Sequence, residues 1–335
     1  LLLLPLLFLV IYTAVSCGSG GSGGDGSNSG GGGSGSCGSG SSTPNNEIVV
    51  ANAYSITVYN RTANGDVAPI RKISGTNTGL VISQGIAVDT VNNEVAVTNL
   101  NNSITVYSRT ANCNAAPIRT ISGTNTGLAT LVGVAVDTAN NEIVVANDNG
   151  GSITVYSRNA NGDVAPIRKI SGTNTSLDSP VGVAVDTANN EIVVANKMGG
   201  GSITVYSRNA NGDVAPVRKI SGTNTSLDGP QGVAVDIANN EIVVANLWGD
   251  FITVYSRTAN GDVAPVRKIS GADTGLLDPG GIAVNTVNDE IAVANWSNNS
   301  ITVYSRTSSG NVAPIRKISG TNTGLYYPWG IALLP

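Results

Sequence analysis

Short apolar runs separated by polar, glycine-rich turns recur along most of the chain, and they recur at a nearly constant interval. The run "EIVVAN", or a close variant of it, begins at Glu47, Glu94, Glu142, Glu191, Glu241 and Glu290. The run "ITVY" ends at Tyr59, Tyr107, Tyr156, Tyr206, Tyr255 and Tyr304, so its copies are 48 to 50 residues apart. A period of this length is typical of propellers and solenoids.

The content of one unit decides between these two architectures. Each unit reads "GVAVD", "EIVVAN", "SITVYSR" and "IRKISG" in that order, with small variations. The pieces are short, rich in Val, Ile and Thr, and bounded by Asn, Gly, Asp and Pro, which predicts β-strands. No window carries a 3.6-residue apolar stripe long enough for a helix. Four antiparallel strands per unit are typical of a propeller blade.

The count of strands predicts how the ring closes. The second to fourth strands occur six times from Glu47 onward, whereas the first unit has no "GIAV" strand of its own. The sixth copy of that strand is the run Gly330-Ile-Ala-Leu-Leu. We therefore predict an all-β, six-bladed propeller of four-stranded antiparallel blades, closed by pairing of residues 330–334 with the N-terminal blade, residues 47–74. Closure hides the sheet edges that an open array would expose.

The order of these four runs resembles the NHL-repeat propeller pattern over about 290 residues. The segment "AVTN" at residues 96–99 is similar to the Tyr-Val-Thr-Asn class of bacterial surface propellers. Two features depart from the NHL pattern. The segment "SRTANGDVAP" between the third and fourth strands is longer than the usual hairpin, and Cys113 stands where the other copies have Gly. Because a turn with positive φ resists a side chain, we expect the Cys113 turn to differ.

Two segments precede the predicted propeller. Residues 1–17 are apolar and uncharged and end in "AVSC", which resembles a secretory signal closed by a bacterial lipobox, so Cys17 is the predicted lipidation site. Plain secretion is the main alternative. A transmembrane anchor is a competing interpretation, but the run is short for a span, contains Pro5 and has no flanking charges. Residues 18–44 are almost entirely Gly and Ser and predict a flexible tether, and residues 45–335 form the propeller. These features predict an exported protein of the cell envelope, lipid-anchored or secreted.

The amino-acid composition excludes several classes of function. The chain has no histidine, which excludes Ser-His-Asp and Cys-His catalysis and every metal site built on imidazole. Its net charge of -4 lacks the basic footprint of a nucleic-acid binder. We therefore expect no nucleic-acid partner and no cofactor, with calcium as the cation that carboxylates and amides would hold if one is present.

The loops of one face of the ring carry most of the chemical diversity. Strand alternation places the loop before each first strand and the loop after each second strand on the same face, which we call the variable face. These loops differ between units, as in "LVISQ" against "LYYPW", while the opposite loops are nearly identical. The candidate ligand-binding residues on this face are Tyr54, Gln84, Gln231, Trp248, Phe251, Trp296, Tyr326, Tyr327 and Trp329.

Seven of these candidates are aromatic, and they fall in three consecutive blades once the ring is closed. Aromatic side chains on loops are suited to stacking on sugar rings or to anchoring a protein partner. Packing between blades or over the channel mouth is the alternative interpretation. The repeat tyrosines of the third strands are most simply packing residues.

The carboxylates have local interpretations as well as functional ones. Asp89, Asp137, Asp186 and Asp236 end the first strands, and Asn285 and Leu333 interrupt this series. Each aspartate precedes a turn in which it accepts backbone hydrogen bonds, so turn stabilisation is favoured over a metal ring. The candidates for a calcium site on the variable face are Asp178, Asp228 and Asp278. They lack EF-hand spacing, and solvated loop charges are the favoured alternative.

The sequence therefore predicts a monomeric binding module for a protein or a glycan, which reaches a membrane only through its lipid anchor. The resemblance to six-bladed propellers leaves a calcium-dependent hydrolase of the lactonase or gluconolactonase type open, and a purely structural surface protein is a third possibility. Binding is favoured over catalysis because the inner strands present mostly Gly, Ala, Ile and Val, and every Glu is the repeated one that opens a second strand.

Overall fold

Alternating apolar strands and tight polar turns produce six four-stranded antiparallel sheets arranged around a central axis. The computed structural model describes residues 46–334, and its sheets are six blades. The first strand of each blade contacts the first strands of both neighbouring blades, all the way around the ring. The prediction of an all-β, six-bladed propeller is confirmed.

Numbered in chain order, the strands occupy four equivalent positions from the axis outward. The innermost strands are β4 (Ser83–Asp89), β8 (Leu131–Asp137), β12 (Pro180–Asp186), β16 (Pro230–Asp236), β20 (Pro279–Asn285) and β24 (Gly330–Leu333). The second strands are β1 (Glu47–Asn52), β5 (Glu94–Asn99), β9 (Glu142–Asn147), β13 (Glu191–Asn196), β17 (Glu241–Asn246) and β21 (Glu290–Asn295). The third strands are β2 (Ser55–Asn60), β6 (Ser103–Ser108), β10 (Ser152–Ser157), β14 (Ser202–Ser207), β18 (Phe251–Ser256) and β22 (Ser300–Ser305).

The outermost strands are only three or four residues long. They are β3 (Arg71–Ile73), β7 (Arg119–Ile121), β11 (Arg168–Ser171), β15 (Arg218–Ile220), β19 (Arg267–Ile269) and β23 (Arg316–Ile318). Two 3-10 turns, Thr223–Thr225 and Ala272–Thr274, follow β15 and β19. Blade 1 is β24-β1-β2-β3, and blades 2 to 6 follow in chain order.

Blade 1 is assembled from both ends of the described chain, as the strand count predicts. Strand β24 pairs antiparallel with β1, with Leu333 opposite Ile48 and Gly330 opposite Ala51. The prediction that Leu333 stands at the position of the strand-ending aspartate is wrong by one residue. Leu333 takes the place of Val88, which lies opposite Val95 in blade 2, so the residue at the position of the strand-ending aspartate is Leu334.

The core consists of six apolar layers, each lying between two adjacent blades. Between blades 4 and 5, for example, Val193 and Ile203 pack against Ile242, Val244 and Tyr255. The layer at the seam joins blade 6 to blade 1 and includes Ile331 and Leu333 of the closing strand. Because every blade is covered on both faces, loss of any one blade exposes two apolar layers to water.

The inner strands approach so closely that glycine is required where they meet. A Cβ added to Gly85 would lie 2.4 Å from the carbonyl oxygen of Val132 and 2.9 Å from the amide nitrogen of Val134, in the next blade. Real Cβ atoms do not approach backbone this closely, so a side chain here would push the blades apart. Because the first residue of each "GIAV" run is glycine, the inner strands can approach one another closely, and the channel is narrow near the variable face.

The long segment between the third and fourth strands covers the outer edge of the preceding blade. Gly162 in this segment of blade 3 forms a parallel bridge with Ile121 of β7, and its amide donates to the Thr120 carbonyl at 2.7 Å. Asp163 then accepts a hydrogen bond from the Asn125 amide at 2.7 Å. This inter-blade latch explains why the segment is longer than a hairpin, and it protects an edge that short strands alone would leave open.

The latch of blade 1 closes the ring a second time, because Gly65 bridges Ile318 of blade 6. In blade 2 the latch contains Cys113, and the expectation that its turn differs is wrong. Cys113 keeps a positive φ of 60° and bridges Ile73 like its glycine counterparts. A left-handed residue other than glycine is uncommon but accessible, and the hydrogen bond from the Cys113 amide to the Lys72 carbonyl at 2.7 Å helps to hold it there.

Five of the six repeated glutamates bind two arginines, one of their own blade and one of the next blade. Arg119 of β7 forms a two-pronged ion pair with Glu94 of its own blade, at 2.8 and 2.6 Å. Arg158 of the next blade reaches the same carboxylate at 2.8 Å. These arginines hold the pKa of Glu94 below its ordinary value, with the hydrogen bond from Arg119 as the largest cause. The "IRK" arginines therefore link strands within a blade, and the arginines that follow "ITVYS" link neighbouring blades.

Arg109 is the exception to this pattern. It is 4% exposed, and its Nε and Nη2 atoms have no hydrogen-bond partner. Glu47, its counterpart carboxylate, is engaged by Arg71 through two bonds of 2.8 Å. The aspartate that approaches the equivalent arginine of other blades is replaced by Leu334. Burial accordingly lowers the pKa of the Arg109 guanidinium.

We expect the replacement Arg109→Met to leave the free energy of unfolding unchanged or to raise it, because it removes a buried charge that lacks its partners. Arg158→Met is the matched control and should lower the free energy of unfolding by about 2 kcal/mol, since it removes a charge-assisted hydrogen bond. Urea unfolding followed by circular dichroism measures both. Equal destabilisation by the two substitutions would contradict the assignment of Arg109 as unpaired.

A buried tyrosine hydroxyl also crosses every interface between blades. The six repeat tyrosines donate to a threonine carbonyl beside the preceding blade at 2.5–2.6 Å. At the seam the pair is Tyr59 and Thr323. Burial raises the pKa of each of these tyrosines to about 12.

This pKa shift predicts cooperative alkaline unfolding. A tyrosine in the unfolded chain has a pKa of about 10, so the stabilisation is complete below about pH 10 and is lost as the pH rises towards about 12. We expect the β-sheet circular dichroism to be lost in that window, together with a rise in phenolate absorbance. Ionisation of all six tyrosines without loss of the sheet signal would show that they do not hold the blades together.

Candidate functional site

The asparagine that ends each "EIVVAN" run fixes the loops of the variable face through hydrogen bonds. Asn52 is fully buried; its Nδ2 donates to Thr57 Oγ1 at 3.0 Å, and its Oδ1 accepts from the Tyr326 amide at 3.1 Å. Asn295 connects Thr302 and Leu277 in the same way. Each of these asparagines thereby ties the loop before the first strand to the third strand of the same blade. Sequence reasoning missed this role, although a polar residue ending every apolar run was the signal for it.

Four of the candidate aromatic residues form one continuous cluster, which we call the aromatic patch: Trp296, Tyr326, Tyr327 and Trp329. The ring centroids of Trp296 and Tyr327 are 5.2 Å apart, those of Trp296 and Trp329 are 6.2 Å apart with the rings edge-on, and those of Tyr326 and Tyr327 are 4.6 Å apart. These distances and tilts are typical of favourable aromatic pairs. Trp329 is half-buried, and the other three side chains are exposed.

Hydrogen bonds between loops hold the aromatic patch together at the seam. The Tyr327 amide donates to Asn299 Oδ1 at 2.7 Å, which joins the loop before β24 to the Trp296 loop. The Ala53 amide donates to the Tyr326 carbonyl at 3.1 Å, which joins it to the loop after β1. Tyr327 has a positive φ of 50°, so its loop is held in an uncommon conformation by these contacts.

The other three aromatic candidates differ in exposure. Tyr54 and Trp248 are exposed on the variable face. Phe251, in contrast, is buried at the start of β18, and Lys268 Nζ lies 3.6 Å from its ring centroid. Phe251 thus packs within blade 5, where its ring binds a lysine of its own chain by a cation–π contact.

The two candidate glutamines lie on opposite sides of the channel mouth. The residues that precede the ring glycines, in blade order from blade 1 to blade 6, are Trp329, Gln84, Val132, Val181, Gln231 and Gly280. Five of them line a cavity of about 70 Å³ together with the ring glycines, whereas Gln84 is half-exposed and is not part of the lining. Gln231 is 2% exposed and lines the cavity together with Trp329.

The strand-ending aspartates serve local turns. Asp89 Oδ1 accepts from the amides of Val91 and Asn92 at 3.0 and 2.8 Å, and Asp89 Oδ2 accepts from Asn92 Nδ2 at 2.8 Å. Asp137, Asp186 and Asp236 bind the equivalent asparagines. This is the turn-stabilising role that the sequence favours.

The candidates for a calcium site, Asp178, Asp228 and Asp278, come from the loops before three successive inner strands. Asp278 accepts a hydrogen bond from the Ser297 hydroxyl. Among residues 46–334, no group of three or more His, Cys, Asp or Glu side chains is arranged to hold a metal ion. In the same part of the chain, no helix is both long and apolar enough to cross a membrane.

Comparison with known proteins supports the propeller fold and does not show a family. No family model matches the chain, and no curated protein matches it. Among solved structures, a chain from the crystal structure of a nidogen/laminin complex is similar, with a TM-score of 0.62 and 13% sequence identity, over 86% of this chain and 98% of that chain. A likeness at this level of identity concerns the fold alone. The NHL-repeat resemblance stays a prediction.

Proposed function

We propose that this protein is an exported β-propeller that binds a protein partner through its variable face. The aromatic patch is the observation that carries the proposal. It links four rings through three ring–ring contacts on loops of the variable face, and two of the four are tryptophans. Exposed Trp and Tyr side chains that are held rigidly dominate the energetics of protein interfaces.

Aliphatic side chains on the same face favour a protein over a glycan. Val81, Ile82, Leu100, Met198 and Leu277 are 39 to 47% exposed on these loops. Aromatic rings stack on sugars, but exposed aliphatic groups are matched by the apolar side chains of another protein. An exposed apolar surface of this kind marks an interaction site. The nidogen/laminin structure is consistent with such a role, since a chain of similar fold occurs there in a protein complex.

Export is supported by the leader sequence and by one feature of the folded region. The lipobox-like "AVSC" and the Gly/Ser tether lie outside residues 46–334, so lipid attachment at Cys17 rests on the sequence. Cys113 is disulfide-bonded, which favours an oxidising compartment. Cys17 and Cys37 are the chain's other cysteines.

Selection from a random peptide-display library tests the proposal. We expect the wild-type propeller to enrich peptides whose binding falls at least tenfold when Trp296 and Tyr327 are both replaced by Ser, because the substitutions remove the centre of the aromatic patch. Trp248→Ser is the matched control: it removes an exposed tryptophan of the same face outside the patch. Fluorescence anisotropy with each selected peptide gives the dissociation constants, and thermal melting confirms that each variant is folded.

Two outcomes would contradict the proposal. Peptides that bind the wild type and the double variant equally would show that the aromatic patch is not the site. Failure to enrich any peptide, together with binding of an oligosaccharide that the double variant loses, would assign the patch to a glycan instead.

A further inference from the structure

A buried amide at the channel mouth has an unused hydrogen-bond acceptor. Gln231 is 2% exposed, and its Oε1 atom has no hydrogen-bond partner. Within residues 46–334, the other buried side-chain atoms without partners are arginine nitrogens and Ser152 Oγ. Buried acceptors are normally paired, so an unpaired one that lines a cavity is a place where a donor from outside the chain can bind. Because Oε1 accepts, that group must donate.

The surroundings of Gln231 define the size and character of a group that could bind there. Gln231 lines the cavity of about 70 Å³ together with the ring glycines and Trp329. Next to it, Gly280 has no side chain, and the Trp329 indole covers that place: a Cβ added to Gly280 would lie 3.6 Å from Trp329 Cδ2. The cavity therefore combines one buried acceptor with an aromatic ring, and its volume fits a group of a few heavy atoms rather than a whole sugar ring.

The negative charge of the surrounding loops favours a cationic group in the cavity. The loops of the variable face hold five carboxylates and one ammonium. These loops are residues 53–54, 80–82, 100–102, 128–130, 148–151, 177–179, 197–201, 227–229, 247–250, 276–278, 296–299 and 325–329. The carboxylates are Asp148, Asp178, Asp228, Asp250 and Asp278, and the ammonium is Lys197. Five negative charges against one positive charge give a net charge of -4, which concentrates cations at this face.

We infer that the channel mouth binds a primary ammonium group, which donates a hydrogen bond to Gln231 Oε1 and lies against the Trp329 indole. An ammonium supplies the donor that the amide lacks, an indole is the best aromatic partner for a cation, and the acidic loops attract it. This inference rests on the proposed function, because it identifies the anchoring group of the protein partner as a lysine side chain. A neutral sugar hydroxyl would satisfy the acceptor but would gain nothing from the charge.

Small defined probes test the inference without knowledge of the partner. The probes are trilysine with its α-amino group acetylated, the same peptide with all three Nζ atoms acetylated as well, 1,5-diaminopentane and maltotriose, each titrated into the propeller by isothermal titration calorimetry at low ionic strength. We expect trilysine to bind, and acetylation to weaken its binding at least tenfold, because acetylation removes the charge and leaves the chain length. Tighter binding of 1,5-diaminopentane than of trilysine would identify a free amine, rather than a protein lysine, as the preferred source of the group.

Variants locate the binding. Gln231→Leu removes the acceptor at nearly constant size and should weaken trilysine binding about tenfold, and Trp329→Leu should also weaken it. Trp248→Leu is the matched control and should bind like the wild type. The acetylation comparison uses the wild-type protein alone, so it decides the question even where a variant folds poorly.

The inference is overturned if acetylated trilysine binds as tightly as trilysine, if maltotriose binds and trilysine does not, or if Gln231→Leu binds trilysine like the wild type. These results are distinguishable from failure of the proposed function. Display-selected peptides that depend on Trp296 and Tyr327 but are indifferent to lysine acetylation would leave the protein-binding role standing and remove the ammonium site.

Discussion

The antiparallel pairing of β24 with β1 is the contact on which the ring depends. The five other blades are continuous in sequence, so each of them forms from a local segment of about 40 residues. Blade 1 joins residues that are nearly 290 positions apart, and two apolar layers and one inter-blade latch rely on it. Long-range pairing of this kind is slow to form and is stabilised only when its neighbours are in place. The closing strand therefore converts a row of blades into a ring.

The same closure creates the surface that we assign to binding. Tyr326, Tyr327 and Trp329 precede the closing strand, while Trp296 belongs to blade 6 and Tyr54 to blade 1. The aromatic patch thus exists only when the seam is formed. The proposed binding site and the closing strand therefore lie at the same place in the ring, and the apolar layers and the latch described above stabilise both.

Much of the fold was predictable because its signals are local and repeated. The strand period, the blade count and the origin of the closing strand all follow from the order of short motifs. What could not be predicted depends on contacts that form only in the folded chain. Phe251 was a candidate ligand-binding residue of the variable face, but it is buried at the start of β18, against the Lys268 side chain of its own blade. Gln84 and Gln231 occupy equivalent positions, yet their burial differs because their neighbours across the mouth come from other units. Arg109 lost its partners through Leu334, some 225 residues away in the sequence.

A designed disulfide across the seam tests the closure most directly. Since the Leu334 amide donates to the Glu47 carbonyl at 2.8 Å and pairs alternate along an antiparallel ladder, Val50 and Ile331 form a non-hydrogen-bonded pair, with Cα atoms about 4.5 Å apart. That separation is compatible with a disulfide. Oxidation of the variant with Val50→Cys and Ile331→Cys should give this cross-link in peptide mapping, whereas Val50→Cys with Ala332→Cys should not, because Ala332 points to the opposite face. A cross-link in the second variant but not in the first would contradict the closure register.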